Sequence, residues 1–239
     1  ILYTYDTTSD GTAEKKEFYI ISHFFMAYTF LAVAAGTVML FADYYSYTEV
    51  NGVVVILGFL WNRLWGVYSD PNYGAVFSAI TIIMSLYFYK DAKKPLKALY
   101  IINIVLQICY IAFSDSRTGM VSLFCALLVY VYLTALRSKK LEAKKAFARG
   151  VICVLLAVTA AVASFAAIKV VSVSTSEFKK WQYEHIISSD KDKTDAQKEK
   201  DKQKLEIGRQ SNDINGDVSN RRFAIWGSGL EIFKTKPLT

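Results

Sequence analysis

The chain is predicted to be all-α, a polytopic bundle of membrane-spanning helices with a long polar extracytoplasmic loop. Three observations predict this. Of 239 residues, 53% are hydrophobic and only 21% charged. The charges fall in separate blocks instead of along amphipathic faces. Between those blocks run stretches of 16 to 24 residues with no acidic side chain and, Lys169 apart, no lysine or arginine. About 20 apolar residues suffice to span a bilayer as a helix.

Five such runs are assigned as spans: Phe18 to Phe41, Tyr73 to Tyr89, Ala98 to Phe113, Val121 to Leu136 and Gly150 to Val171. A sixth apolar run, Val53 to Trp61, is too short to cross about 30 Å of hydrocarbon at 1.5 Å per residue. It is expected to lie in the interface or to dip back into the bundle. No internal repeat and no Pro-rich or Gly-rich tract divides the chain, so residues 1–171 are taken as one transmembrane bundle. Residues 172–220 are read as the polar loop and 221–239 as a truncated interfacial helix, its apolar positions fitting an amphipathic helix at a membrane surface. The chain opens on Ile1 and stops at Thr239 with no terminal element, and both ends read as cut. Cys109, Cys125 and Cys153 all fall inside spans, at spacings that match no metal or redox motif, and read as small core residues.

Lysine and arginine set the orientation, because short loops rich in them stay on the cytoplasmic side. The loop Lys90 to Lys97 holds four lysines against Asp91, a net of +3. The loop Arg137 to Arg149 holds six basic residues against Glu142, a net of +5. The whole chain is +7, so everything outside these two loops sums to −1. The basic balance is therefore a matter of topology and argues against nucleic-acid binding. With both loops inside, residues 42–72, 114–119 and 172–220 lie outside and the first span runs outward. Between Asp190 and Glu206 six lysines face six acidic residues, a pattern that favours a solvated flap with a helix around Thr194 to Ile207.

Against that background five arginines, Arg63, Arg117, Arg209, Arg221 and Arg222, fall on the outer side, where the bias of short loops disfavours them. Arg117 lies in the tight turn Phe113-Ser114-Asp115-Ser116-Arg117-Thr118-Gly119 between two spans, and Arg63 lies in Trp61-Asn62-Arg63-Leu64-Trp65-Gly66. Arg221 and Arg222 open the last apolar segment. Snorkelling to the membrane boundary accounts for such residues singly. Several guanidiniums together make a site for phosphate, since the planar fork binds its oxygens in pairs and stays charged. A lipid diphosphate is the natural ligand at that depth. Asp115 either orients Arg117 by a charge-assisted pair or is an exposed turn residue. Asn72 reads more readily as the cap of the span after Pro71 than as a substrate ligand, and both are kept as candidates.

Three motifs carry a resemblance to the O-antigen ligase and polysaccharide polymerase family of bacterial membrane enzymes. Arg63 to Ala75, with its arginine, glycines and Pro71-Asn72, resembles the family's pattern before a span. Ser114 to Gly119 resembles its Ser-Arg-Gly turn, here with Thr118 inserted between arginine and glycine. Arg221 to Trp226, followed by Lys236-Pro237-Leu238, resembles the segment leading to a Pro-Leu-Phe-Gly-Val-Gly element. The resemblance runs over roughly Gly52 to Leu238 and implies a GT-C-like helical bundle in a bacterial plasma membrane, active on its extracytoplasmic face.

It further implies transfer of a glycan from an undecaprenyl diphosphate carrier to an acceptor sugar hydroxyl, with no cofactor and no metal. Whether the enzyme polymerises or ligates, and which surface glycan it makes, is left open. On that reading Arg117 and Arg221 are the catalytic candidates, stabilising the leaving diphosphate, and Arg63, Arg222, Asp115 and Asn72 are substrate-binding candidates. The family's functional histidine is expected beyond Thr239; His185 does not match its position and His23 lies in the first span. The competing reading is a flippase or secondary transporter of an anionic substrate. Such proteins place ionisable groups near the midplane, where these spans hold little beyond His23.

Overall fold

The computed structural model describes residues 12–50, 52–137, 146–182, 184–185, 207 and 222–235. Helix α1 spans Thr12–Phe41, α2 Pro71–Tyr89, α3 Lys94–Ser114, α4 Arg117–Leu136, α5 Ala146–Gln182 and α6 Arg222–Thr235. The first five are long and apolar enough to cross a membrane. The fold is thus a helical, multi-pass membrane bundle. Each helix outruns the charge-free stretch that predicted it. Lys94 and Lys97 are in α3, and Arg117 opens α4, because a basic side chain can extend from a helix end to the boundary while its backbone stays helical.

The structure adds to the reading at two places. The run Val53 to Trp61 is extended: Val53–Leu60 is the middle strand, β2, of a three-stranded antiparallel sheet, between β1 (Tyr45–Val50) and β3 (Arg63–Gly66), and its Phe59 joins the buried core. The β-branched sequence Val-Val-Val-Ile favours a strand. Val50 pairs with Val53 across Asn51-Gly52, and Leu60 pairs with Arg63 across Trp61-Asn62, so both turns are two-residue hairpins. The polar loop also starts later than Ser172, because α5 continues to Gln182. At 1.5 Å per residue its 37 residues measure roughly 55 Å, well beyond the thickness of a hydrocarbon core. The helix expected around Thr194 to Ile207 lies outside the described residues, except for Ile207 itself.

Helices α1, α2 and α3 share a polar seam. Tyr100, Asn103, Gln107, Tyr110 and Ser114 recur at helical spacing along α3 and are all buried. Asn103 Nδ2 donates to Ser85 Oγ of α2 at 3.1 Å, and Gln107 Nε2 to Asn103 Oδ1 at 3.0 Å. Thr29 of α1 and Thr81 of α2 pair through their hydroxyls at 2.9 Å, and His23 Nε2 lies 2.7 Å from the Tyr100 hydroxyl. Within a bilayer such bonds hold helices together, because lipid offers side chains no alternative partner.

The sheet caps one end of the bundle. α2 leaves it, α3 returns to it at Ser114 and α4 starts there, so the Lys90–Lys97 turn lies at the opposite end. The C-terminal parts of α1 and α5 meet at the sheet end as well. Lys179 of α5 is 3% exposed, and its Nζ lies 3.0 Å from Asp43 Oδ1 and 4.3 Å from the ring centre of Phe59 on β2. One turn earlier on α5, Ser176 Oγ accepts from the backbone N–H of Ile207, whose side chain joins the apolar core.

Candidate functional site

The geometry at the sheet end follows from how α2 and α4 begin. Asp70 precedes Pro71 at the first turn of α2, and its carboxylate accepts from the Asn72 N–H at 2.6 Å. Proline suits that first position because its missing N–H would go unused there. Asp70, and not Asn72, is therefore the cap. Ser116 caps α4 in the same way, its hydroxyl accepting from the Gly119 N–H at 3.0 Å. Between α3 and α4 only Asp115 and Ser116 intervene. Asp115 turns the chain in the left-handed region, at φ 43° and ψ 44°, which aspartate tolerates better than most side chains.

Two glycines let these starts come together. A Cβ on Gly119 would collide with the Cβ of Ala75, and one on Gly74 would collide with the Tyr110 hydroxyl. The first turns of α2 and α4 accordingly pack backbone to backbone, and Tyr110 fits over Gly74 with its hydroxyl donating to the Trp65 carbonyl at 3.1 Å.

Asn72, released from capping, is the hub. Its Oδ1 accepts from Ser116 Oγ at 2.8 Å and from Arg63 Nη2 at 3.4 Å. Arg63 Nε also donates to the Ser114 carbonyl at 2.8 Å. One half-buried guanidinium thus ties β3 to the last residue of α3 and to the first turn of α2. Arg117, the first residue of α4, is exposed three positions beyond the carbonyl that Arg63 holds. The positive ends of two helix dipoles converge on the same place, which favours an anion. Tyr68, 5% exposed and edge to face on Tyr110, has its phenol pushed well above the ordinary range by burial, with a lesser contribution from Tyr28.

Arg63, Asn72, Asp115 and Arg117 are therefore brought together at one turn. Arg222 opens α6, of which Trp226 to Thr235 are exposed, but its side chain is not among those described; Arg209 and Arg221 lie outside the described residues. His185 stacks on Trp181 with ring centres 5.0 Å apart, at the end of α5. Sequence reasoning missed Asp70 and Ser116. The signals were an acidic residue directly before proline and a serine directly before a helical apolar run.

The fold and the arginine-bearing turn at one end of it are those of a helical multi-pass membrane protein. Residues 102–239, more than half of the chain, match the family model described as O-Antigen ligase, and the chain belongs to that family. Membership makes it a membrane glycosyltransferase-type protein of the ligase and polymerase group, whose substrates are lipid-linked glycans. The matched stretch contains Asp115, Arg117, Arg221 and Arg222, while Arg63 and Asn72 precede it. No curated protein and no solved structure matches the chain.

Proposed function

We propose that the protein moves a glycan from an undecaprenyl diphosphate carrier to the hydroxyl of an acceptor sugar, on the extracytoplasmic face of a bacterial plasma membrane. The observation that carries this reading is the convergence of Arg63 and Arg117 on the α3–α4 turn, at the end of the bundle opposite the Lys90–Lys97 turn. The positive-inside bias assigns the lysine end to the cytoplasm.

In the transfer the bond between the sugar's anomeric carbon and the diphosphate oxygen breaks, and its electron pair stays with the diphosphate. The acceptor oxygen bonds to the same carbon, and its proton leaves to a base. Negative charge grows on the leaving group, so groups that hold it more tightly in the transition state accelerate the step. Arg117 and Arg221 take that role. Arg222 and Asp115 complete the substrate contacts, Asp115 by orienting Arg117. Arg63 and Asn72 contribute by fixing the helix starts, since two of Arg63's N–H groups are engaged within the chain.

The test is transfer by the purified full-length protein from a lipid-linked oligosaccharide. Arg117→Ala and Arg221→Ala are expected to abolish product while leaving membrane insertion intact. Product of normal amount and length from either variant sinks the assignment. A flippase or transporter would instead move the lipid-linked glycan across a vesicle and form no new glycosidic bond.

A further inference from the structure

Trp61 occupies the tip of the β2–β3 hairpin with φ 53°, followed by Asn62 with φ 58°. Two successive left-handed residues make the tight hairpin turn that asparagine and glycine ordinarily supply. A bulky side chain in that conformation is a genuine outlier, and such outliers gather at functional positions. The result is an indole 64% exposed at the sheet end of the bundle.

The ring is braced. Trp65 meets it edge to face, with centres 5.9 Å apart and planes at 68°. The backbone carbonyl of Trp65 accepts from the Tyr110 hydroxyl, which fixes this part of β3 against α3. Two residues after Trp61 the strand delivers Arg63 to the α3–α4 turn. An exposed aromatic face thus lies two residues from Arg63 on the same hairpin. A pyranose ring carries C–H groups on one face and hydroxyls at its rim, so it matches a flat, electron-rich aromatic face with polar groups nearby.

We propose that Trp61 is a stacking platform for a pyranose ring of the glycan substrate, and that this contact selects which sugar sits beside the Arg63 hub. The proposal rests on the glycan-transfer reading above and adds to it the residue that recognises the sugar. A belt tryptophan seated among lipid headgroups is the competing occupant, and the experiment is built to tell the two apart.

The full-length protein is reconstituted in nanodiscs and probed in two ways. In the first, tryptophan fluorescence is followed on adding the soluble oligosaccharide released from its lipid carrier, and separately with brominated lipids. The oligosaccharide is expected to change the emission of the wild type but not of Trp61→Phe. In the second, transfer kinetics compare Trp61→Tyr with Trp61→Leu. Tyrosine keeps the stacking face and is expected to stay close to wild type, while leucine raises KM for the glycan about tenfold and changes kcat less. Quenching of Trp61 by brominated lipid, together with a wild-type KM in Trp61→Leu, overturns the proposal in favour of an anchor. Should the wild type transfer nothing, the glycosyltransferase reading fails, and the fluorescence arm still decides whether Trp61 meets sugar.

Discussion

The hydroxyl of Ser116 donates to Asn72 Oδ1 at 2.8 Å while accepting from the Gly119 N–H at 3.0 Å, so one small side chain both starts α4 and ties it to α2. The arginine-bearing turn is thereby tied to two helices at once, and several outcomes are expected from it and from the packing around it.

Asn72→Ala removes the acceptor shared by Ser116 and Arg63. Transfer is expected to fall by about 10- to 100-fold through misplacement of the turn, with the protein still inserted and folded. Asn72→Asp keeps the acceptor oxygen but adds a negative charge, so thermal stability in detergent should hold while transfer drops. Equal losses of stability and activity in Asn72→Asp would contradict this separation. Ser116→Ala, which deletes a cap, should cost about 1 kcal/mol of stability.

Gly119→Ala places a methyl against Ala75 where two helix backbones touch. Overpacking of this kind costs about 1–3 kcal/mol. The double variant Gly119→Ala/Ala75→Gly should recover much of that loss in a thermal unfolding measurement. Simple additivity of the two changes would show that the contact is loose.

Lys179 is buried and Asp43 is 59% exposed, so the two partners are unequal. Removing Asp43 as Asn leaves an ammonium inside the fold. Replacing Lys179 with Met leaves a carboxylate that water can serve. Asp43→Asn should therefore be the more destabilising change, by less than the roughly 3–5 kcal/mol of a fully buried pair, and Lys179→Met should restore stability when combined with it. Chemical denaturation of the three variants checks the order.

Asn103→Leu breaks the seam between α2 and α3 and strips Gln107 Nε2 of its acceptor. Bonds of this type in a bilayer average about 0.6 kcal/mol and reach about 1.7. The loss should therefore be modest, measurable in unfolding, and without effect on KM.

The membrane helices were legible because an apolar helix needs a charge-free run of fixed length, and five such runs stood clear of the lysine blocks. The sheet was not. Val53 to Trp61 was weighed only against the length of a helix, although Asn51-Gly52 before a β-branched run is a hairpin signal. The clustering of Arg63 with Arg117 followed from topology and family likeness. Its mechanism did not, because Arg63 reaches a backbone carbonyl 51 residues away, and a carbonyl leaves no mark on a sequence. Asn72 looked like a cap because it is a capping residue type near a helix start; one position settled otherwise, with Asp70 better placed ahead of Pro71. The pairing of Lys179 with Asp43, 136 residues apart, had no local signal at all.

Helix α5 is the longest of the five spans and, among the described residues, the least buried by the rest of the chain. About 20 residues from Gly150 suffice to cross the bilayer, so Ser176 and Lys179 stand on the part that overshoots. That part is polar, Ser172 to Lys180 carrying four serines and threonines, a glutamate and two lysines, so it is suited to stand clear of the hydrocarbon. The two points where α5 grips Ile207 and the Asp43 corner are on that part. The length that crosses a bilayer and the length that fastens the bundle to its cap are thus consecutive parts of one helix.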